Sequence, residues 1–387
     1  MFEPTYSAAL SRLNHFVPKA GRDYAAKRNY DDLAHVSGLS PYLRHRIITE
    51  EDVLRATLGR HSPTAAEKFV QEVYWRTYWK GWLEMRPGVW SAYQADLNAA
   101  LNRVQTESGL RTAWETACKG ETGIDCFDHW AQQLAETGYL HNHARMWFAS
   151  IWIFTLRLSW VLGADFFMRH LLDGDPASNT LSWRWVGGLQ TIGKTYLARP
   201  DNIAKYTQRR FHPTGLAEFA APLEGMPQPP RGPVPTSDTL ELDQTSALLI
   251  TEEDLSVGWL LDKMQPEQTV VVQTTQSRSP LNVSPKVASF VTDAMQDCVN
   301  RYGPRLGRVS FVAIEDLAEW RKDSDISNLV TSFVPTGPTH DALEGVSLCQ
   351  QIRPYDADAW PHATHGFFRF KEKIPRLLGQ LRGIELA

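Results

Sequence analysis

Two regimes of hydrophobic patterning divide this chain. Through residues 1–210 apolar positions recur every three to four residues, the spacing that lines one face of a helix. Ser7–Phe16 places Leu10, Leu13 and Phe16 on such a face, and Phe69–Trp82 reads as a helix dense in aromatic rings. After a stretch crowded with proline (Pro213, Pro222, Pro227, Pro229, Pro230, Pro233, Pro235), the pattern changes to short β-branched runs alternating with helical ones. SALLIT, TVVVQT, RVSFVAI and LVTSFVP read as strands, whereas VGWLLDKM and PKVASFVTDAMQDCVNRY read as helices. Such alternation predicts a parallel α/β sheet. The fold class expected is therefore α + α/β: a helical domain over 1–211, a proline-rich linker over 212–246 and a smaller Rossmann-like α/β domain over 247–387.

The densest chemistry lies between Thr137 and Trp185, where an apolar, aromatic middle is flanked by charged and amide side chains. Four-residue spacing stacks His141 on Arg145 and Asn142 on Met146 along one helix. Asp173 and Asp175 are acids that can pair with Arg145 after folding. One cation, two acids and the amides of Asn142 and Asn179 suit a polar pocket for a flat, hydrogen-bonding ligand. They suit equally a buried ion-pair network within a helical core.

Composition narrows these readings. With 387 residues, 43% of them hydrophobic, the chain is long enough for two domains and a sizeable core. Its formal net charge of −4 provides no global attraction to nucleic acid, so any such face must be a local basic patch. Cys118, Cys126, Cys298 and Cys349 show no CxxC spacing, and neither a metal site nor disulfides are expected. His362 and His365 lie in a loop and read as packing residues. No GxGxxG or P-loop appears in the second half. The apolar run Met146–Met168 is broken by Arg157 and Asp165, and the first residues lack a signal-like core, so a cytoplasmic protein that contacts no membrane is expected.

HNHARM (141–146), DGDPASN (173–179) and WRW (183–185), in this order and spacing, resemble the flavin-binding helical domain of the DNA photolyase/cryptochrome family. SGLSPYL (37–43) resembles that family's phosphate-binding loop, with Val36 in place of a usual threonine. FVQEVYWRTYW resembles its aromatic substrate helix, and GETG (120–123) its short turn before the central stretch. The segment after Trp185 departs from the family's usual run but keeps Lys194, Arg199, Lys205, Arg209 and Arg210 beside Tyr196 and Tyr206. Family members carry an α/β domain before the helical one; here the α/β module follows it, as if the order were permuted.

The resemblance implies FAD as cofactor and assigns roles residue by residue. Tyr24, Ser37, Gly38, Leu39 and Ser40 match phosphate and ribityl contacts, and Phe69 a flavin-contact position. Asn142 and Arg145 match contacts to the isoalloxazine side, Asp173 and Asp175 its polar edge, and Asn179 the position opposite N5. Glu72, Trp75, Asn142, Met146 and Trp185 match contacts to a flipped pyrimidine dimer, with Arg76 and His143 at DNA phosphates. Trp183 matches the flavin-proximal member of an electron relay and Trp160 the middle one; Trp114 or Trp152 can stand in for the terminal member. The implied activity is repair of cyclobutane pyrimidine dimers in single- or double-stranded DNA by electron transfer from excited reduced FAD. The alternative is a cryptochrome-like blue-light photoreceptor with a signalling partner and no repair; a flavin-binding remnant is the third. A monomer is expected, and no residue is assigned to an antenna pigment.

Overall fold

A computed structural model describes residues 2–241, 245–324 and 326–381. Its first half is helical. The helix Tyr6–Phe16 starts one residue before the predicted one, because Thr5 Oγ1 accepts from Ala8 N at 3.2 Å and so satisfies an otherwise orphaned donor. Glu50–Leu58 is closed by a reciprocal capping box between Thr49 and Asp52. The aromatic helix runs Glu67–Glu84, and Asn142–Ser150 continues through a π-helical turn, Ile151–Thr155. Trp160–His170 and Pro176–Val186 then pack against one another. Their close approach depends on Gly163, where a Cβ would lie 2.3 Å from the Trp183 ring and 3.0 Å from that of Trp152.

The second half carries five parallel strands: β1 (Ser246–Ile250), β2 (Gln268–Val271), β3 (Arg308–Phe311), β4 (Asn328–Ser332) and β5 (Cys349–Gln351), in the order β3-β2-β1-β4-β5. Leu248 is opposite Thr269 on one side and Val330 on the other. Alternation decides what each face meets. Leu248 and Ile250 join the hydrophobic cluster that runs without a break from the helical half. Ala247 and Leu249 face the other way, into a second cluster with Val270, Leu317, Leu329 and Leu343. Four strands coincide with the predicted runs. The fifth, Cys-Gln-Gln, has no β-branched residue and could not be read from pattern.

Between the halves the proline-rich chain lies along the surface without helix or strand, with residues 242–244 outside the described set. It is tied down by single backbone bonds, Leu223 N to Gly187 O at 2.9 Å, Gly232 N to Met85 O at 2.7 Å and Asp238 N to Gln350 O at 2.9 Å. Among the described residues, no helix is long and apolar enough to cross a membrane, and no group of three or more His, Cys, Asp or Glu side chains could hold a metal ion.

Candidate functional site

The turn Ser37–Leu39 is set by Gly38, whose φ of 60° lies in the left-handed region that favours glycine. Ser37 Oγ accepts from Leu39 N at 3.3 Å, and Ser40 opens a short helix ending at Arg44. A guanidinium closes the turn from the side: Arg12 Nη1 lies 2.8 Å from where a Cβ of Gly38 would be. Arg12 therefore supplies a cation beside two hydroxyls. Sequence reading missed it, since an arginine on the polar face of a short amphipathic helix carries no signal of its own. Next to this turn, Tyr24 and Phe69 meet at 5.2 Å and share Phe16 as a third ring. Burial pushes the Tyr24 phenol well above its ordinary range.

The Asn142–Ser150 helix is N-capped by His141, whose Nδ1 accepts from His143 N at 3.1 Å. Its Nε2 is buried without a protein partner, and burial brings its pKa down to about 4, so the ring is neutral. Arg145 donates through Nη2 to Asp173 Oδ2 at 2.7 Å and through Nε to Leu140 O at 3.0 Å. Asp173 is 8% exposed, and its other oxygen, Oδ1, is buried with no protein donor. Asn179 gives Nδ2 to Ala164 O at 2.8 Å, which turns its carbonyl oxygen away as an acceptor. Asn142 is exposed on the same helix face as half-buried Met146.

Several assignments are corrected by their surroundings. Asp175, expected at the ligand's polar edge, is the N-cap of Pro176–Val186: Oδ1 accepts from Ser178 N at 2.8 Å. Its Oδ2 faces Arg76 at 3.4 Å, Lys80 at 3.8 Å and Arg44 at 4.0 Å. Burial opposes its charge, but Lys80, Arg76 and Arg44 outweigh burial and hold the carboxyl far below its usual range. Arg76 was expected at a DNA phosphate. Its side chain is 14% exposed and bonded to Glu50 Oε1 (3.2 Å) and Asp175, so it belongs to a buried network and does not face solvent as a phosphate contact must. Glu72, four residues before Arg76 on the same helix, pairs with Arg28 instead. His143 lies flat on Trp147 at 4.1 Å, with Nδ1 at Asn29 O (3.0 Å) and Nε2 at Tyr196 Oη (3.4 Å). Burial lowers its pKa, and both ring nitrogens already face partners within the chain. Trp75 stacks on Phe367 from the far end of the chain, 3.6 Å between centroids and 12° between planes.

Among the expected dimer contacts, Glu72 meets Arg28, the following Asn29 meets His143, and Tyr196 links His143 to Trp185 (5.8 Å). Arg28, the C-cap of the helix Arg22–Lys27 before the phosphate turn, was not foreseen. In the relay, Trp183 meets Trp152 edge-on at 6.3 Å and Phe167 at 5.1 Å. Trp160 instead packs on Tyr93 at 5.7 Å, and Tyr93 on Trp90 at 5.1 Å. Among the described ring contacts, Trp183 thus meets Trp152 and not Trp160. The basic run after Trp185 is partly spent internally: Arg210 binds Asp31 at 2.7 Å and Lys205 lies over Tyr206.

These residues fit the FAD implied by the resemblance. The buried Asp173 Oδ1, His141 Nε2 and the turned-away oxygen of Asn179 await hydrogen-bond partners, which the edge of an isoalloxazine ring offers. Arg12 beside Ser37 and Ser40 provides charge and donors for a diphosphate. Asp175 and Arg76 are not part of that set.

Residues 69–220 match the family described as the FAD binding domain of DNA photolyase. The deoxyribodipyrimidine photo-lyase of a Synechococcus strain is 34% identical over 190 residues, 47% of this chain and 38% of the relative. That of Alkalihalophilus pseudofirmus is 30% identical over 208 residues, 54% of this chain and 42% of the relative. The chain thus spans about two-fifths of the length of these relatives. A class III photolyase structure from Agrobacterium tumefaciens is 27% identical, with a TM-score of 0.45, covering 53% of this chain and 43% of that one.

Proposed function

We propose, on the premise that the helical half belongs to the photolyase/cryptochrome family, that this chain holds FAD within residues 1–211 and serves light-driven electron transfer. The single observation that carries the proposal is the buried carboxylate of Asp173, paired through one oxygen with Arg145 and left without a donor at the other. A buried acceptor without a partner costs about 1–3 kcal/mol, which a ligand N–H at that edge relieves. When bound, FAD supplies the electron chemistry, and the chain supplies binding, orientation and electrostatics. Arg12, Ser37 and Ser40 hold the diphosphate, Tyr24 and Phe69 wall the site, and Arg145 fixes the orientation of Asp173. Asn179 presents a carbonyl oxygen as acceptor. Trp183, in edge contact with Trp152, is the oxidisable ring.

Of the two uses of such a site, the geometry favours a blue-light photoreceptor without lyase activity, acting on a signalling partner. Side chains that a flipped dimer would need are engaged within the chain: Glu72 by Arg28, one face of Trp75 by Phe367, and His143 by Trp147 and Asn29. The second reading is repair of cyclobutane pyrimidine dimers in damaged DNA. It is supported by the relatives' names and by Asn142, Met146 and Trp185, which keep accessible surface on the expected side. The deciding measurement is blue-light repair of single-stranded and duplex oligonucleotides carrying one cyclobutane thymine dimer, with FAD fully reduced beforehand. Photoreduction of the oxidised protein without repair of either substrate is expected. Catalytic turnover of either one establishes the lyase and removes the receptor reading.

A further inference from the structure

In an open parallel sheet, ligands bind beyond the C-terminal ends of the strands, where the strand order reverses. Here that place lies between β1 and β4, and side chains of the helical half fill it. Glu252, Glu253 and Asp254 follow β1 directly and are all buried. Arg44 meets Glu253 with both Nη atoms, at 2.7 and 2.8 Å, and Thr339 Oγ1 adds a third bond to that carboxylate at 2.9 Å. His45 Nδ1 meets Glu252 O at 2.8 Å. Glu252 is itself fixed by Thr274 N and Thr275 Oγ1, which follow β2.

The same basic side chains reach on to the turn that presents Asp173. Arg44 Nε donates to Gly174 O at 2.8 Å, and His45 Nε2 lies 3.3 Å from Leu172 O. Arg278, in the loop after β2, donates through Nη1 to Leu171 O at 3.3 Å. That guanidinium is 3% exposed, and its Nε and Nη2 have no partner. So the carbonyls of Leu171 and Gly174 are held by two guanidiniums, Arg278 of the α/β module and Arg44 paired with that module's Glu253, while the His45 ring lies beside Leu172 O. From the loop after β4, Gly337 leans on the next residues of the turn: a Cβ there would lie 2.5 Å from Pro176 Cγ.

We infer that the α/β module serves the cofactor site directly: Glu253 and Arg278 are positioning residues that act through the Leu171–Gly174 turn to place Asp173 against FAD. The inference rests on the FAD reading above and gives the second module a role that needs no pigment or nucleotide of its own. An arginine kept in a buried position without full hydrogen bonding is costly unless its charge or shape is used. Beside the Asp173 turn, that charge is available to a ligand held there.

The test uses the full chain, stripped of flavin and titrated with FAD, reading affinity by flavin fluorescence and the bound state by visible circular dichroism at saturation. Glu253→Gln and Arg278→Met are each expected to weaken FAD by about tenfold, within the usual range of coupling between sites, and to alter the dichroism of the saturated complex. Arg278→Lys should restore most of the affinity. Gly337→Ala removes no charge, yet should shift the same spectrum by pushing on Pro176. If a variant does not fold, the remaining ones decide. Variants that melt at lower temperature but bind FAD with unchanged affinity and spectrum overturn the inference and leave the module a structural brace. Wild-type protein that takes up no FAD overturns the cofactor reading and this inference together, a result distinct from the first.

Discussion

Asp173 concentrates the chemistry of the site into one side chain. Its pairing with Arg145 satisfies one oxygen, and removing one partner of a buried ion pair costs about 3–5 kcal/mol, less here because the Arg145 side chain is 23% exposed. Asp173→Ala also removes the free oxygen offered to the ligand, a charged hydrogen bond worth about 1.5–3 kcal/mol, and should lower FAD affinity by one to two decades at about 1.4 kcal/mol each. Flavin content per polypeptide after purification checks it, and full occupancy in the variant would remove Asp173 from the site. Asp175, two residues on, should behave differently. It caps a helix and balances Lys80, Arg76 and Arg44, so its loss registers first in stability. Within DGDP one acid pairs with Arg145 and keeps a free buried oxygen while the other caps a helix, a division that residue type cannot reveal.

At the scale of elements, the Trp160–His170 helix decides which rings Trp183 meets. It passes Gly163 beneath Trp183 and Trp152 while its own Trp160 turns toward Tyr93. Light-driven flavin reduction in the presence of a thiol donor should consequently slow in Trp183→Phe and Trp152→Phe, and proceed near the wild-type rate in Trp160→Phe. Transient absorption on flavin-replete protein measures this; loss of reduction in Trp160→Phe alone would restore the middle place to Trp160. The resemblance pointed to Trp160 by its place along the chain. It does not say which neighbouring ring it faces once three helices have packed. Likewise the strand Cys349–Gln351 forms only because β4 offers a free edge, as shown by Val330 opposite Cys349.

For the whole molecule, the joint between the modules is polar and titratable. Glu84 accepts from Thr336 N and Oγ1, both at 2.9 Å, while burial raises its pKa to about 7 against the opposing pull of Lys80. The folded state thus holds this proton more tightly than the unfolded chain, whose carboxyl titrates near the ordinary value of 4.5. Stability from this group is present below pH 4.5 and is lost as pH rises through 7, by roughly 3 kcal/mol at most. Glu84→Gln should raise the melting temperature at pH 8 relative to wild type and change it little at pH 5. Thermal melts at the two pH values decide; an equal shift at both would show that Glu84 is ionised throughout.

What the sequence by itself determined is what depends on near neighbours along the chain. The helical and α/β halves follow from apolar spacing of 3.6 and 2, four of five strands from β-branched runs, and the cofactor class from motifs whose residues lie within a few turns of each other. Arg145 with Asp173 was legible for that reason, being 28 residues apart in one motif-bearing stretch. Tertiary structure decided everything carried by partners distant in sequence: Arg44 with Glu253 (209 residues apart), Arg46 with Asp356 (310) and Trp75 under Phe367. An isolated charged or aromatic side chain leaves several partners open until burial removes water as the default one. The fold therefore turned Arg76 from a DNA contact into a network member. It also set side chains of a module with no site motif of its own against the Leu171–Gly174 turn.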